Sequence, residues 1–296
     1  MAVKAARRHE SDPAAGAPRS RADVAAAAQL ACVLEASADK PGNITPVHDF
    51  ADTTYEDMLR SAVALGPELA RADERGVGDT VLAAVRATRR VAGANTNLGI
   101  ALLLAPLARA ALLAGAHRDA VEQVLGALTL DDARTAYAAI RAAGAGGLDA
   151  PVEHDVRDEP ALALREAMAA AADRDSVAAE YATGYATTFE LGLPVLAGAL
   201  DDGLRPRAAV VELCLELLAA VPDTLVVRKR GRAEADRVSA GAARVLAAGG
   251  VRSDAGRTAL AAFDASLRVD GNALNPGTTA DLVTATLFVA LLEDLV

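Results

Sequence analysis

The sequence predicts an all-α protein, a single globular domain of ten or more helices. Three observations carry that expectation. Ala- and Leu-rich segments dominate, and these residue types favour packed helices over sheets. Apolar residues recur at three- and four-residue spacing along the chain. No β-rich segment appears, and aromatic residues are only 3% with no Trp. At 296 residues and 52% hydrophobic, the chain has enough apolar surface for a sizeable core. With so few aromatics the bulk must come from Leu, Val and Ala, so the helices must approach closely.

The elements follow in order. Residues 1–20 are rich in Ala, Arg, Ser and Pro without apolar periodicity and read as a flexible tail before a helical domain over 21–296. The tail lacks the apolar stretch of a signal peptide. Ser20 and Asp23 have capping-box spacing and start a helix that runs to about Ser37. Lys40-Pro41-Gly42 stops it. Thr53-Thr54-Tyr55-Glu56 looks like the next capping box, with Met58, Ala62 and Leu65 as a buried face. Further helices are expected near 78–91, 98–114, 118–128 and 131–143. The run Leu98–Ala116 approaches membrane-span length, but Pro106 and Arg109 break it, so it reads as a buried core helix. Residues 144–160 form the longest irregular stretch. Helices resume near 161–172, 175–191, 207–220, 231–248, 254–267 and 279–295. No solenoid-type repeat is present.

Composition narrows function. There are 40 acidic against 30 basic residues, a net charge of −10. A nucleic-acid binder needs a basic face, so that class is disfavoured, though a local basic pocket for a phosphorylated metabolite is not. Cys32 and Cys214 sit in apolar helical stretches without further metal ligands nearby and read as buried thiols of a cytoplasmic protein.

Four polar loops carry more functional groups than connectors need. In the first, Glu35 precedes Lys40-Pro41-Gly42, then His48-Asp49. Gly42 gives conformational freedom, Lys40 suits a phosphate, and His48 and Asp49 suit proton transfer or a metal-bridged phosphate. A Pro-Gly turn with solvated charges fits equally. The second is Gly93 to Gly99, where Asn95 and Thr96 stand at a helix N-terminus that favours anions or simply needs a cap. The third holds Arg228-Lys229-Arg230 before Gly231. Read as a helix start, this cluster opposes the macrodipole, which favours a diphosphate or triphosphate role. The fourth is Asn275-Pro276-Gly277-Thr278-Thr279 followed by Asp281. Thr278 and Asp281 have capping-box spacing, and the Gly-Thr-Thr turn equally suits a phosphate.

Taken together, these stretches resemble the triphosphoribosyl-dephospho-CoA synthase family. The residues are Glu35, Lys40-Pro41-Gly42, His48-Asp49, Gly93-x-Asn95-Thr96-x-x-Gly99, Asp223-Thr224, Arg228, Gly231, Asn272 and Pro276-Gly277-x-x-Ala280-Asp281-Leu282. Their order and approximate spacing agree over residues 22–293. Asn97-Leu98 stand where the family often has His-Lys, and the loop after Lys-Pro-Gly is shorter. The resemblance implies an all-helical enzyme that moves the 5-triphosphoribosyl group of ATP to the 2′-hydroxyl of dephospho-CoA and releases adenine. The product is a prosthetic-group precursor for acyl-carrier subunits.

On that resemblance, Glu35, Asp49 and Asp281 are the candidate catalytic carboxylates and His48 a proton carrier. Lys40 and Arg228 would hold phosphates. Gly42, Asn95, Thr96, Asn275, Gly277 and Thr278 complete the substrate site, and Mg²⁺ would sit at Asp49 and Asp281 with ATP. A helical nucleotide sensor, an interaction protein without chemistry, and a hydrolase that uses water as acceptor remain open. Self-association through an apolar helix face is compatible with the sequence.

Overall fold

The computed structural model describes residues 17–93, 96–114, 117–144, 156–269 and 271–296. Most of the expected tail, part of the 144–160 stretch and Asn95 lie outside these residues. Among them are fourteen α-helices and no strand. The first six are α1 (Arg21–Ser37), α2 (Tyr55–Leu69), α3 (Val77–Val91), α4 (Leu98–Ala111), α5 (His117–Gly126) and α6 (Leu130–Ala143). Then come α7 (Leu164–Ala169), α8 (Ser176–Thr183), α9 (Leu193–Asp201), α10 (Pro206–Ala220) and α11 (Thr224–Arg230). Last are α12 (Arg232–Ala247), α13 (Asp254–Leu267) and α14 (Gly277–Leu292).

Two helices, α4 and α14, are apolar nearly all round and form the centre. α14 packs against α1, α4, α10 and α11; α3 leans on α2, α4 and α6; and α12 packs between α10 and α13. Residues such as Ala101, Leu103, Leu104, Val283, Leu287 and Phe288 are wholly buried here. The helix α4 is the expected core helix rather than a membrane span, and no described helix is long and apolar enough to cross a membrane. Pro106 within it cannot pair with the carbonyl of Leu102, four residues before it. The buried Tyr181 hydroxyl donates to that carbonyl at 2.7 Å, and Tyr185 donates to Leu103 O at 2.7 Å. The defect in α4 thus becomes the point where α8 is pinned to the core. The two thiols are free and buried, and burial pushes the Cys214 thiol up to about 12.

The Ser20–Asp23 capping box forms as read. The second box sits one residue later than expected: Thr54 pairs with Asp57, and Thr53 is not the cap. Two helices, α9 and α11, occupy stretches where the sequence predicts none. The short α11 changes one argument. Arg228, Lys229 and Arg230 lie in its last turn, so they complement the macrodipole instead of opposing it. Between α8 and α9 a π-helical turn spans Thr187–Gly192. The fully buried Glu180 carboxylate accepts hydrogen bonds from the N–H groups of Thr187 and Thr188 there, at 2.9 and 3.0 Å.

Candidate active site

The four polar loops converge on one cavity of about 480 Å³ beside the N-terminal ends of α4 and α14. Glu35, Thr96, Gly99, Arg228, Asn275, Gly277, Thr278 and Asp281 all contribute to its wall. The volume suits one nucleotide-sized ligand. Apolar side chains complete the wall, Tyr137, Met168, Val177 and Leu225 among them.

Glu35 stands in the last turn of α1 and is 3% exposed. The Lys-Pro-Gly turn folds Lys40 back over that helix end. Its ammonium pairs with Glu35 Oε1 at 2.9 Å and also donates to the Glu35 carbonyl. Lys40 is wholly buried and does not border the cavity. The expectation that it reaches a phosphate gives way to a different role, counter-charge for Glu35. The second carboxylate oxygen, Oε2, is buried and has no partner among the described residues. A buried orphan acceptor is costly until a donor arrives.

Gly42 also works behind the wall. It adopts φ +71°, and a Cβ there would stand 2.9 Å from Leu267 Cβ. Its N–H donates to Asp264 Oδ1 at 2.8 Å, and its carbonyl accepts from Asn275 Nδ2 at 3.1 Å. Asn275 Nδ2 further donates to Asn43 Oδ1 at 3.0 Å, so the first and fourth loops are bolted together. His48 and Asp49 fall outside the site. Both are exposed and neither borders the cavity. His48 closes a tight turn with Thr45, and Asp49 Oδ1 accepts from Tyr55 N at 2.8 Å at the start of α2. The shortened loop does not bring them inward.

Asp223 joins the third and fourth loops. Its buried carboxylate caps α11 through Val226 N at 3.0 Å and receives Thr279 N and Oγ1 at 2.7 and 2.9 Å. Asp223 therefore caps α14, and the Thr278–Asp281 capping box does not form. Thr278 Oγ1 instead accepts from Thr224 Oγ1 at 3.2 Å, and Thr96 Oγ1 lies 2.7 Å from Ser61 Oγ. Freed from capping, Asp281 turns to the cavity at the α4 N-terminus. It packs so closely on Gly99 that a Cβ at that position would stand 2.0 Å from Asp281 Oδ2. Burial holds the Asp281 carboxyl well above the usual carboxylate range. The negative charges of Glu35, Asp223 and Asp175 add to the shift, and Arg228 opposes it.

Arg228 borders the cavity and pairs with Asp175 Oδ2 at 2.6 Å. Asp175 and its neighbour Arg174, from the turn between α7 and α8, were not singled out from the sequence. That turn has no Gly or Pro signature, and only the fold carries it across to α11. Asp49 and Asp281 do not come together as a metal pair, and no group of three or more His, Cys, Asp or Glu among the described residues has metal-binding geometry.

Two Klebsiella pneumoniae proteins named 2-(5''-triphosphoribosyl)-3'-dephosphocoenzyme-A synthase are similar to this chain. One is 38% identical over 108 residues, covering 36% of this chain and 37% of its own length. The other is 32% identical over 111 residues, covering 38% and 36%. The match thus spans little more than a third of either curated relative. A crystal structure from Archaeoglobus fulgidus, provisionally named a triphosphoribosyl-dephospho-CoA synthase, superposes with a TM-score of 0.63. It is 29% identical and covers 79% of this chain and 98% of that one. A family model described as ATP:dephospho-CoA triphosphoribosyl transferase matches residues 21–296. With four family-like loops gathered on one cavity and that match across the folded chain, the protein belongs to the CitG family.

Proposed function

We propose that this chain transfers the 5-triphosphoribosyl group of ATP to the 2′-hydroxyl of dephospho-CoA, or of a related cofactor precursor, with release of adenine. One observation carries the reading within the family: two carboxyl groups in opposite electrostatic settings border one cavity. Glu35 has a buried ammonium at 2.9 Å as counter-charge. Asp281 has no ion pair among the described residues and is biased toward its neutral form. Carboxyls whose environments differ in this way divide acid and base roles.

In the reaction the bond from ribose C1′ to adenine breaks through an oxocarbenium-like state. The acceptor oxygen then bonds C1′ and gives up its proton. Protonated Asp281 donates to the departing adenine. The Glu35 carboxylate stabilises the positive C1′ and takes the acceptor proton, so one proton is gained and one released. Arg228 holds phosphate, and Thr96, Asn275 and Thr278 orient sugar or phosphate oxygens. The donor set at Asp49 and Asp281 does not fit a resident Mg²⁺. The ion would enter on the triphosphate, as part of the substrate. Free buried thiols fit a reducing cytoplasm.

The test is incubation with Mg-ATP, with and without dephospho-CoA, and chromatography for free adenine. Adenine only in the presence of acceptor is expected. Adenine without acceptor means hydrolysis. Nucleotide-dependent thermal stabilisation with no adenine in either tube means a binding protein, and the transfer reading fails.

A further inference from the structure

Among the described residues, five charged side chains border the cavity: Glu35, Arg174, Asp175, Arg228 and Asp281. Two are neutralised locally, Glu35 by Lys40 and Arg228 by Asp175. That leaves Asp281 and Arg174. Arg174 is exposed, and its hydrogen bond goes from Nη1 to the Ala170 carbonyl at the end of α7, at 2.9 Å. No carboxylate pairs with it among the described residues, although the chain carries an acidic excess and Asp173 and Asp175 flank it. Asp175 is committed to the other arginine. Arg174 therefore keeps Nε and Nη2 available at the cavity rim, with the planar fork that matches phosphate oxygens. Depth separates the charges: Glu35 is 3% exposed while Arg174 lies open.

We propose that Arg174 clamps the polyphosphate of the donor nucleotide at the mouth of the cavity. This rests on the transfer reading for the identity of the nucleotide. The binding of a polyphosphate by Arg174 has its own test. An uncommitted guanidinium makes charge-assisted bonds without first breaking an ion pair, as Arg228 would have to do. Loss of the clamp weakens the ground state and the transition state alike, so it raises KM for ATP while kcat changes little.

The experiment is calorimetric titration of inorganic tripolyphosphate into the full chain, as wild type, Arg174→Ala and Arg174→Gln. Both variants should melt with the wild type, because the side chain is exposed and its replacement buries nothing. Expected is measurable binding to wild type that weakens about tenfold or more in both variants. Wild type that fails to bind tripolyphosphate, or variants that bind it equally, overturns the clamp. Adenine release tests the transfer reading separately. Arg174-dependent tripolyphosphate binding in a protein that releases no adenine leaves the clamp standing and removes the reaction.

Discussion

Replacing Gly99 with Ala tests whether the position of Asp281 sets the rate. The new Cβ would stand 2.0 Å from Asp281 Oδ2, 2.4 Å from Cγ and 2.9 Å from Oδ1. Carbon atoms of this kind do not approach closer than 3.0 Å, so Oδ2 must retreat by at least 1.0 Å. The carboxyl is the far end of a side chain that borders a cavity, so it has room to move. The backbone of α4 need not. A displacement of 1 Å at a reacting group costs on the order of 10²-fold in rate, about 2.7 kcal/mol of barrier. Stability changes less. Ala in place of Gly favours the helix by up to about 1 kcal/mol, and the local crowding opposes it by about 1–3 kcal/mol. The variant should therefore fold, melt within a few degrees of wild type, and release adenine about a hundredfold more slowly. Gly93→Ala is the control, since a Cβ there meets nothing within 4 Å. If Gly99→Ala turns over within threefold of wild type at an unchanged melting point, the Asp281 position does not matter and its role as the acid falls.

Three further outcomes follow from the same geometry. Lys40→Met leaves the Glu35 charge buried and unpaired, a loss of about 3–5 kcal/mol in urea denaturation. Adding Glu35→Gln should restore much of it; a single variant as stable as wild type would refute the buried pair. His48→Ala, at an exposed turn outside the cavity, should keep adenine release within about twofold, and a hundredfold loss would bring His48 back into the site. For Asp281 the raised folded-state pKa sets the sign. Its burial favours the folded chain below the ordinary carboxylate range and loses that contribution as pH rises toward the raised value. Asp281→Asn should therefore gain melting temperature over wild type increasingly from pH 5 to pH 8 while losing adenine release. A difference that is flat or shrinks over that range contradicts the assignment. Wild-type turnover should fall on the alkaline side for the same reason.

Local chemistry wrote much of this protein plainly into its sequence. The all-helical class, the Ser20–Asp23 cap, the apolar α4 and the four polar loops follow from periodicity, capping spacing and composition, which act over a few residues. The cap on α2 slipped by one residue because Thr53 and Thr54 both have the required chemistry; Thr53 O accepts from Phe50 N at 2.9 Å in the preceding turn, and Thr54 caps the helix. The roles of the charges were decided elsewhere. Lys40 looks like a phosphate ligand in one dimension, yet Glu35 lies five residues behind it and the turn brings them to 2.9 Å with both side chains buried. Asp281 has the spacing of a cap, but Asp223, far away in the chain, takes that task and leaves Asp281 facing the cavity. Arg174 carries no motif at all. It reaches the site because α8 is pinned to α4 through Tyr181 and Pro106, contacts that span most of eighty residues. Sequence determines which groups are present and which stretches are helical. Whether a charge meets a ligand, a counter-ion or solvent depends on neighbours distant in sequence, and only the tertiary fold supplies those.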